Sequence, residues 1–201
     1  MNLYIFDWDD TLVDGRDLFY QAFCDAGIKI LREKFDDYDK KPGGLSLLYE
    51  SHGLKANDRI VTERYTELCT QSLKFMPGAV SVVKKLKDKG KKLAVNTNTD
   101  IDLIHKIVKS TELKDYFDII MGPTGDIKHK PHPDIINYIL KVTGVSKKEC
   151  VMIGDRDTDI LSGKSAGVYT AGVLTGPMEK EYIKKAKPDI IINSVNYLSI
   201  N

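Results

Sequence analysis

The sequence predicts an α/β fold, a doubly wound parallel sheet (Rossmann-like) core with an inserted helical cap domain. Three observations carry that expectation. From Val80 onward short apolar runs alternate with amphipathic helical segments, the rhythm that right-handed crossovers build into a mostly parallel sheet. Four of the runs lead into polar clusters, and such sheets bind their ligands outside the carboxyl ends of the strands. Between Gly15 and Met76 apolar residues recur only at helical spacing. The expected division is therefore a core of residues 1–14 and 77–201 and a helical cap of residues 15–76.

Leu3, Tyr4, Ile5 and Phe6 are consecutive apolar residues with β-branched and aromatic members, so they read as a strand buried on both faces. The strand stops at Asp7. Asp7, Asp9 and Asp10 then crowd three carboxylates into four residues, whose mutual repulsion calls for a cation among them. Taken alone, the trio is equally a solvated turn, since Asp is a common turn former. Gly15 opens the exit from the core and, with Gly78, is expected to act as a hinge. Helical faces follow at Leu18, Phe19, Ala22, Phe23 and Ala26, then at residues 45–49, then at Ile60, Tyr65, Leu68 and Leu73. Met76, Pro77 and Gly78 punctuate the return.

Helix 79–89 is stopped by Gly90, and strand 93–95 runs into the polar segment 96–100. Helix 101–110, strand 119–121, a loop through Lys130 and helix 135–142 come next. Strand 151–153 ends in a second acidic cluster at Gly154-Asp155-Arg156-Asp157-Thr158-Asp159. A helix to Ala166 and strands at 171–174 and 190–192 complete the alternation.

Composition narrows the partners. Among 201 residues, 30 basic and 29 acidic side chains leave a net charge of +1, no field that would draw a nucleic-acid backbone or an anionic membrane. Residues 15–76 hold ten of each sign. The chain shows no run of 18 apolar residues and opens on a strand rather than a basic, signal-like stretch, so a cytoplasmic protein is expected. Cys24, Cys69 and Cys150 are odd in number with no close pair, which suits buried thiols better than a disulfide framework or a zinc site. A monomer or weak homodimer is the expected state.

A phosphate ester at the expected sheet edge would meet a complete set of groups. Asp7 could attack phosphorus, and magnesium, which favours hard oxygen ligands, would offset the repulsion between the two anions. Asp9 could protonate the leaving oxygen and later take a proton from water. Thr97 and Asn98 offer hydroxyl and amide donors for the phosphate oxygens, and Lys130 a full positive charge. Asp155 would complete the metal shell, with Asp159 one helical turn on in support.

These residues resemble the haloacid dehalogenase superfamily, in its phosphoglycolate phosphatase-like branch, over nearly the whole chain. Asp7-Trp8-Asp9-Asp10-Thr11-Leu12 is similar to that family's first motif, Thr97-Asn98 to its second, Lys130-Pro131 to its third, and Gly154-Asp155 through Asp159 to its fourth. The resemblance implies an aspartyl-phosphate on Asp7, Asp9 as acid and base, and magnesium held by Asp7, the Asp9 backbone carbonyl and Asp155. It also implies a helical cap inserted after the first motif and a small phosphorylated metabolite as substrate.

Trp8 is bulkier than the aliphatic residue expected between the two aspartates and reads as core packing. Asp10 stands where the family often has glycine. His129 and His132 flank Lys130, but a magnesium site prefers oxygen, so they are not assigned as ligands. Arg156 is expected to be an exposed helix-start residue. Of the cap aromatics Phe19, Tyr20, Phe23, Phe35, Tyr38 and Tyr49, helical spacing puts most in the cap's own core. Rival readings are a β-phosphoglucomutase-like mutase on the same core, and a catalytically silent phospho-binding or signalling protein.

Overall fold

The computed structural model describes residues 1–55 and 58–198. In chain order its elements begin with β1 (Leu3–Phe6), β2 (Val13–Asp14), α1 (Arg16–Asp25), α2 (Arg32–Asp39), α3 (Gly44–Ser51), α4 (Arg59–Ser72) and β3 (Lys74–Phe75). There follow α5 (Ala79–Asp88), β4 (Lys92–Asn96), α6 (Ile101–Lys109), β5 (Ile119–Met121), α7 (Asp134–Thr143) and β6 (Cys150–Gly154). Helix α8 (Asp157–Ala166), β7 (Tyr169–Val173), α9 (Lys180–Lys185) and β8 (Ile190–Ile192) close the series.

Six strands pair in parallel in the order β5-β4-β1-β6-β7-β8. Strand β1 lies between β4 and β6, so the chain order reverses on either side of it, and the crevice at its carboxyl end is the natural binding place. Alternation along β1 sends Tyr4 and Phe6 to one apolar cluster and Leu3 and Ile5 to the other. The first cluster takes Val82, Val83 and Leu86 of α5 and Ile104, Ile107 and Val108 of α6; the second takes Ile135, Ile136, Ile139 and Leu140 of α7. Both faces are thus covered, which is why the core strands read as continuous apolar runs.

The helices α1 to α4 lie between β2 and β3, which pair antiparallel at the two crossings into the core. Phe23, Phe35 and Tyr49 are buried together among them; the Phe23 and Phe35 rings meet edge to face at 5.6 Å. Trp8 is fully buried against Phe117, in keeping with core packing. Among the described residues no helix is long and apolar enough to cross a membrane.

The periodicity expected three helical faces in this block, and its described residues form four helices. Helix α2 escaped because only Phe35 and Asp39 of its eight residues are buried, leaving no apolar stripe to read. The two-residue β2 and β3 and the six-residue α9 were also missed, all too short to show a period. Strand β7 begins at Tyr169 rather than Ala171.

Candidate active site

Asp7 follows β1, Thr97 follows β4, Lys130 lies in the loop after β5, and Asp155 follows β6, so all four stand at the same edge of the sheet. The backbone holds them there. Asp7 N–H donates to Ile153 O at 2.8 Å, extending the ladder one residue past β1, and Thr97 N–H donates to Met121 O at 3.1 Å.

Lys130 is the electrostatic centre. Its side chain is buried, and Nζ donates to Asp7 Oδ1 at 2.7 Å and to Asp159 Oδ1 at 2.6 Å. Burial alone would lower its pKa, but the Asp159 and Asp7 charges outweigh that and raise it, so the ammonium stays charged. Asn98 grips the backbone of the same residue: its Oδ1 accepts from Lys130 N at 2.9 Å. The Thr97 hydroxyl accepts from Thr99 N at 3.2 Å.

Oxygens of Asp7, Asp155 and Asp159 all lie within 4.8 Å of one another. Asp155 is held by Thr11, whose Oγ1 donates to its Oδ1 at 3.0 Å, while the buried Oδ2 has no hydrogen-bond partner among the described residues. A Cβ at position 176 would fall against that oxygen, and glycine there keeps the space open. Burial and the Asp7, Asp10 and Asp159 charges push Asp155 well above the ordinary carboxylate range, against an opposing pull from Arg156. An orphaned, buried oxygen in an all-oxygen set is the environment a hard divalent cation relieves, so these residues fit magnesium.

Asp9 leaves the strand and points to the cap. Its Oδ1 accepts a hydrogen bond from the Tyr65 hydroxyl of α4. Burial, then the Asp7 charge, raise its pKa to about 6, partly offset by Tyr65. Asp159 is likewise raised to about 6, by burial and Asp7, against the Lys130 charge. Burial keeps the Tyr65 phenol well above its usual value.

Arg156 is not the exposed residue expected. It is under a quarter exposed, and its guanidinium donates to both the carboxylate and, at 3.1 Å, the backbone oxygen of Asp39 in α2. His129 and His132 are exposed and outside the acidic cluster. The aromatics of α1–α4 divide as spacing suggested, with Phe19 and Tyr49 reaching a cavity of about 570 Å³ between these helices and the sheet edge. Asp7, Lys130 and Thr97 line its floor.

Four contributors were not assigned from sequence: Thr11, Asp39, Tyr65 and the cap-facing role of Arg156. Tyr65 carried a signal, a polar tip on an otherwise apolar helix face. Arg156 carried a weaker one, a lone cation inside an acidic cluster.

The family profile described as haloacid dehalogenase-like hydrolase matches residues 4–173. A candidate pyrophosphatase PpaX of Caldanaerobacter subterraneus subsp. tengcongensis is 32% identical over 200 residues, spanning 95% of this chain and 90% of that protein. A phosphoglycolate phosphatase of Shigella boydii is 26% identical over 134 residues, 67% of this chain and 53% of its own. The solved structure of CbbY from Rhodobacter sphaeroides in complex with phosphate superposes with a TM-score of 0.76 at 21% identity, covering 99% of this chain and 96% of that one, a likeness of fold.

Proposed function

The chain belongs to the haloacid dehalogenase-like hydrolase family of phosphatases, and on that footing we propose that it is a magnesium-dependent phosphomonoester hydrolase acting on a small phosphorylated metabolite through an aspartyl-phosphate on Asp7. The observation that carries this reading is the Asp7 carboxylate at the floor of the cavity, 2.7 Å from a buried ammonium and within 4.8 Å of two further carboxylates.

Asp7, the Asp9 backbone carbonyl and Asp155, with Asp159 in support, would hold magnesium, which offsets the repulsion between carboxylate and phosphate and polarises the phosphoryl oxygens. An Asp7 oxygen attacks phosphorus as the bond to the leaving oxygen breaks, and Asp9 gives that oxygen its proton. Asp9 then takes a proton from the water that attacks the aspartyl-phosphate, and inorganic phosphate leaves with Asp7 restored. A carboxyl near 6 suits both halves of that cycle, since neither protonation state is far out of reach at neutral pH. Lys130 keeps its charge and orients Asp7 and the phosphoryl group; Thr97 and Asn98 lie beside them as phosphate donors. Residues 15–76 act as the cap that excludes bulk water from the aspartyl-phosphate.

Pyrophosphate is the one other substrate a specific observation favours, because the full-length relative is named for it. Its leaving group is phosphate, and the first step is otherwise the same. Turnover of p-nitrophenyl phosphate that needs magnesium and falls by at least about a thousand-fold in Asp7→Asn is the expected result. Wild-type protein inert toward aryl phosphate, pyrophosphate and a panel of sugar and carboxylate phosphates would overturn the proposal.

A further inference from the structure

We propose that Tyr65 is a positioning residue for Asp9, its cap-borne hydroxyl fixing which oxygen of that carboxyl faces the leaving group. The inference rests on the acid and base role given to Asp9 above.

Two independent features of the structure support it. The Tyr65 hydroxyl donates to Asp9 Oδ1, and the ring is buried, meeting Phe19 edge to face at 5.2 Å, so the phenol is held by the cap and not by the site it serves. The second feature is Gly15. Its φ of −98° is open to any residue, so the backbone does not ask for glycine. Space does. A Cβ at position 15 would run into the Tyr65 hydroxyl, and would stand 3.2 Å from its Cζ and 3.3 Å from Asp9 Oδ1. The crossing into the cap is thus kept bare where the phenol reaches the carboxyl. Gly15 thereby serves as a passage for the phenol.

The chemistry follows from which oxygen is taken. With Oδ1 accepting from Tyr65, the transferable proton of Asp9 sits on Oδ2. It moves to the leaving oxygen as the phosphorus bond to that oxygen breaks and the bond to Asp7 forms. Tyr65 keeps its own proton throughout.

A leaving group that needs no proton makes the role visible. The experiment measures kcat/KM, which reports only steps through phosphoryl transfer to Asp7, for an alkyl phosphate and for 2,4-dinitrophenyl phosphate. Tyr65→Phe is expected to lose about ten-fold or more on the alkyl ester while staying within about two-fold on the dinitrophenyl ester. Gly15→Ala should reproduce that pattern, and should cost little more when added to Tyr65→Phe, because the hydroxyl it strikes is gone. Retained turnover of the dinitrophenyl ester also shows that the variants fold. An equal loss on both esters, or no loss on either, overturns the proposal. Asp9→Asn is assayed beside them. A strong leaving-group dependence there with a flat response in Tyr65→Phe sinks the positioning role alone. No dependence in Asp9→Asn sinks the acid and base reading with it.

Discussion

At Asp10 the backbone and the charge pull in opposite directions. Its φ of 56° lies in the left-handed region, where aspartate and asparagine are tolerated and most side chains are strained. That explains how Asp can stand where the resembling family often has glycine. The carboxyl is buried, however, and burial raises its pKa to about 7, with Arg156 opposing and Asp9 and Asp39 adding to the rise. A folded pKa above the unfolded one means the native state binds the proton more tightly. Stability should therefore decline as pH rises from the unfolded value of about 4 through 7. Asp10→Asn keeps the backbone geometry and removes the charge. Urea unfolding of metal-free protein should show it more stable than wild type by about 1 kcal/mol or more at pH ~8, and little different at pH ~4. An unchanged pH slope would refute this. The carboxylates at this site were legible one by one as residue types, but their protonation was not, because it depends on burial and on neighbours more than a hundred positions away.

Between elements, the contact that decides most is Arg156 with Asp39. Arg156 caps α8, where the Asp159 side chain accepts from its backbone N–H at 2.9 Å, and its guanidinium reaches across to α2. Asp39 is nearly fully buried, and removing Arg156 leaves it only the longer Arg16 contact at 3.6 Å, so its charge loses its best compensation. Arg156→Ala should cost about 2–3 kcal/mol in denaturant unfolding, below the range for fully buried pairs because the arginine is partly exposed. Combining Arg156→Gln with Asp39→Asn should cost less than the sum of the single changes. Strict additivity would mean that the pair is not coupled. Helix α2 explains why this partnership could not be foreseen. With a polar face on nearly every side, it gave no apolar period to mark it as a helix, and no reason to place Asp39 against a residue 117 positions on.

On the scale of the molecule, the α1–α4 segment meets the elements around the main sheet at several places. Glu179 N donates to Lys40 O at 3.2 Å, and Arg59 of α4 pairs with Asp102 of α6 at 3.2 Å. The Arg59 pair is half exposed and contributes little at physiological salt; the Arg156 and Tyr65 contacts are the sheltered ones. The acidic floor beneath them is costly without a cation, since a buried Asp155 oxygen has no hydrogen-bond partner among the described residues and only a 4.0 Å contact with Arg156. Magnesium should therefore raise the unfolding free energy, by about 2.7 kcal/mol at a hundred times its dissociation constant. In Asp155→Asn the metal-free protein should be more stable than wild type and most of the magnesium response should vanish. A full response in that variant would remove Asp155 from the metal set.

The layered α/β core, the six strands of the main sheet and the residue types that meet at its edge were all legible in the order of residues. Those features follow from local periodicity and from the rule that parallel strands present their carboxyl ends together. Tertiary structure alone decided which partner each group met: that Asn98 grips the Lys130 backbone, that Arg156 turns to the cap, and that Tyr65 reaches Asp9 past a bare Gly15. Such pairings join positions tens to more than a hundred residues apart. They are set by how elements distant in the chain pack together, a geometry that no run of neighbouring residues encodes.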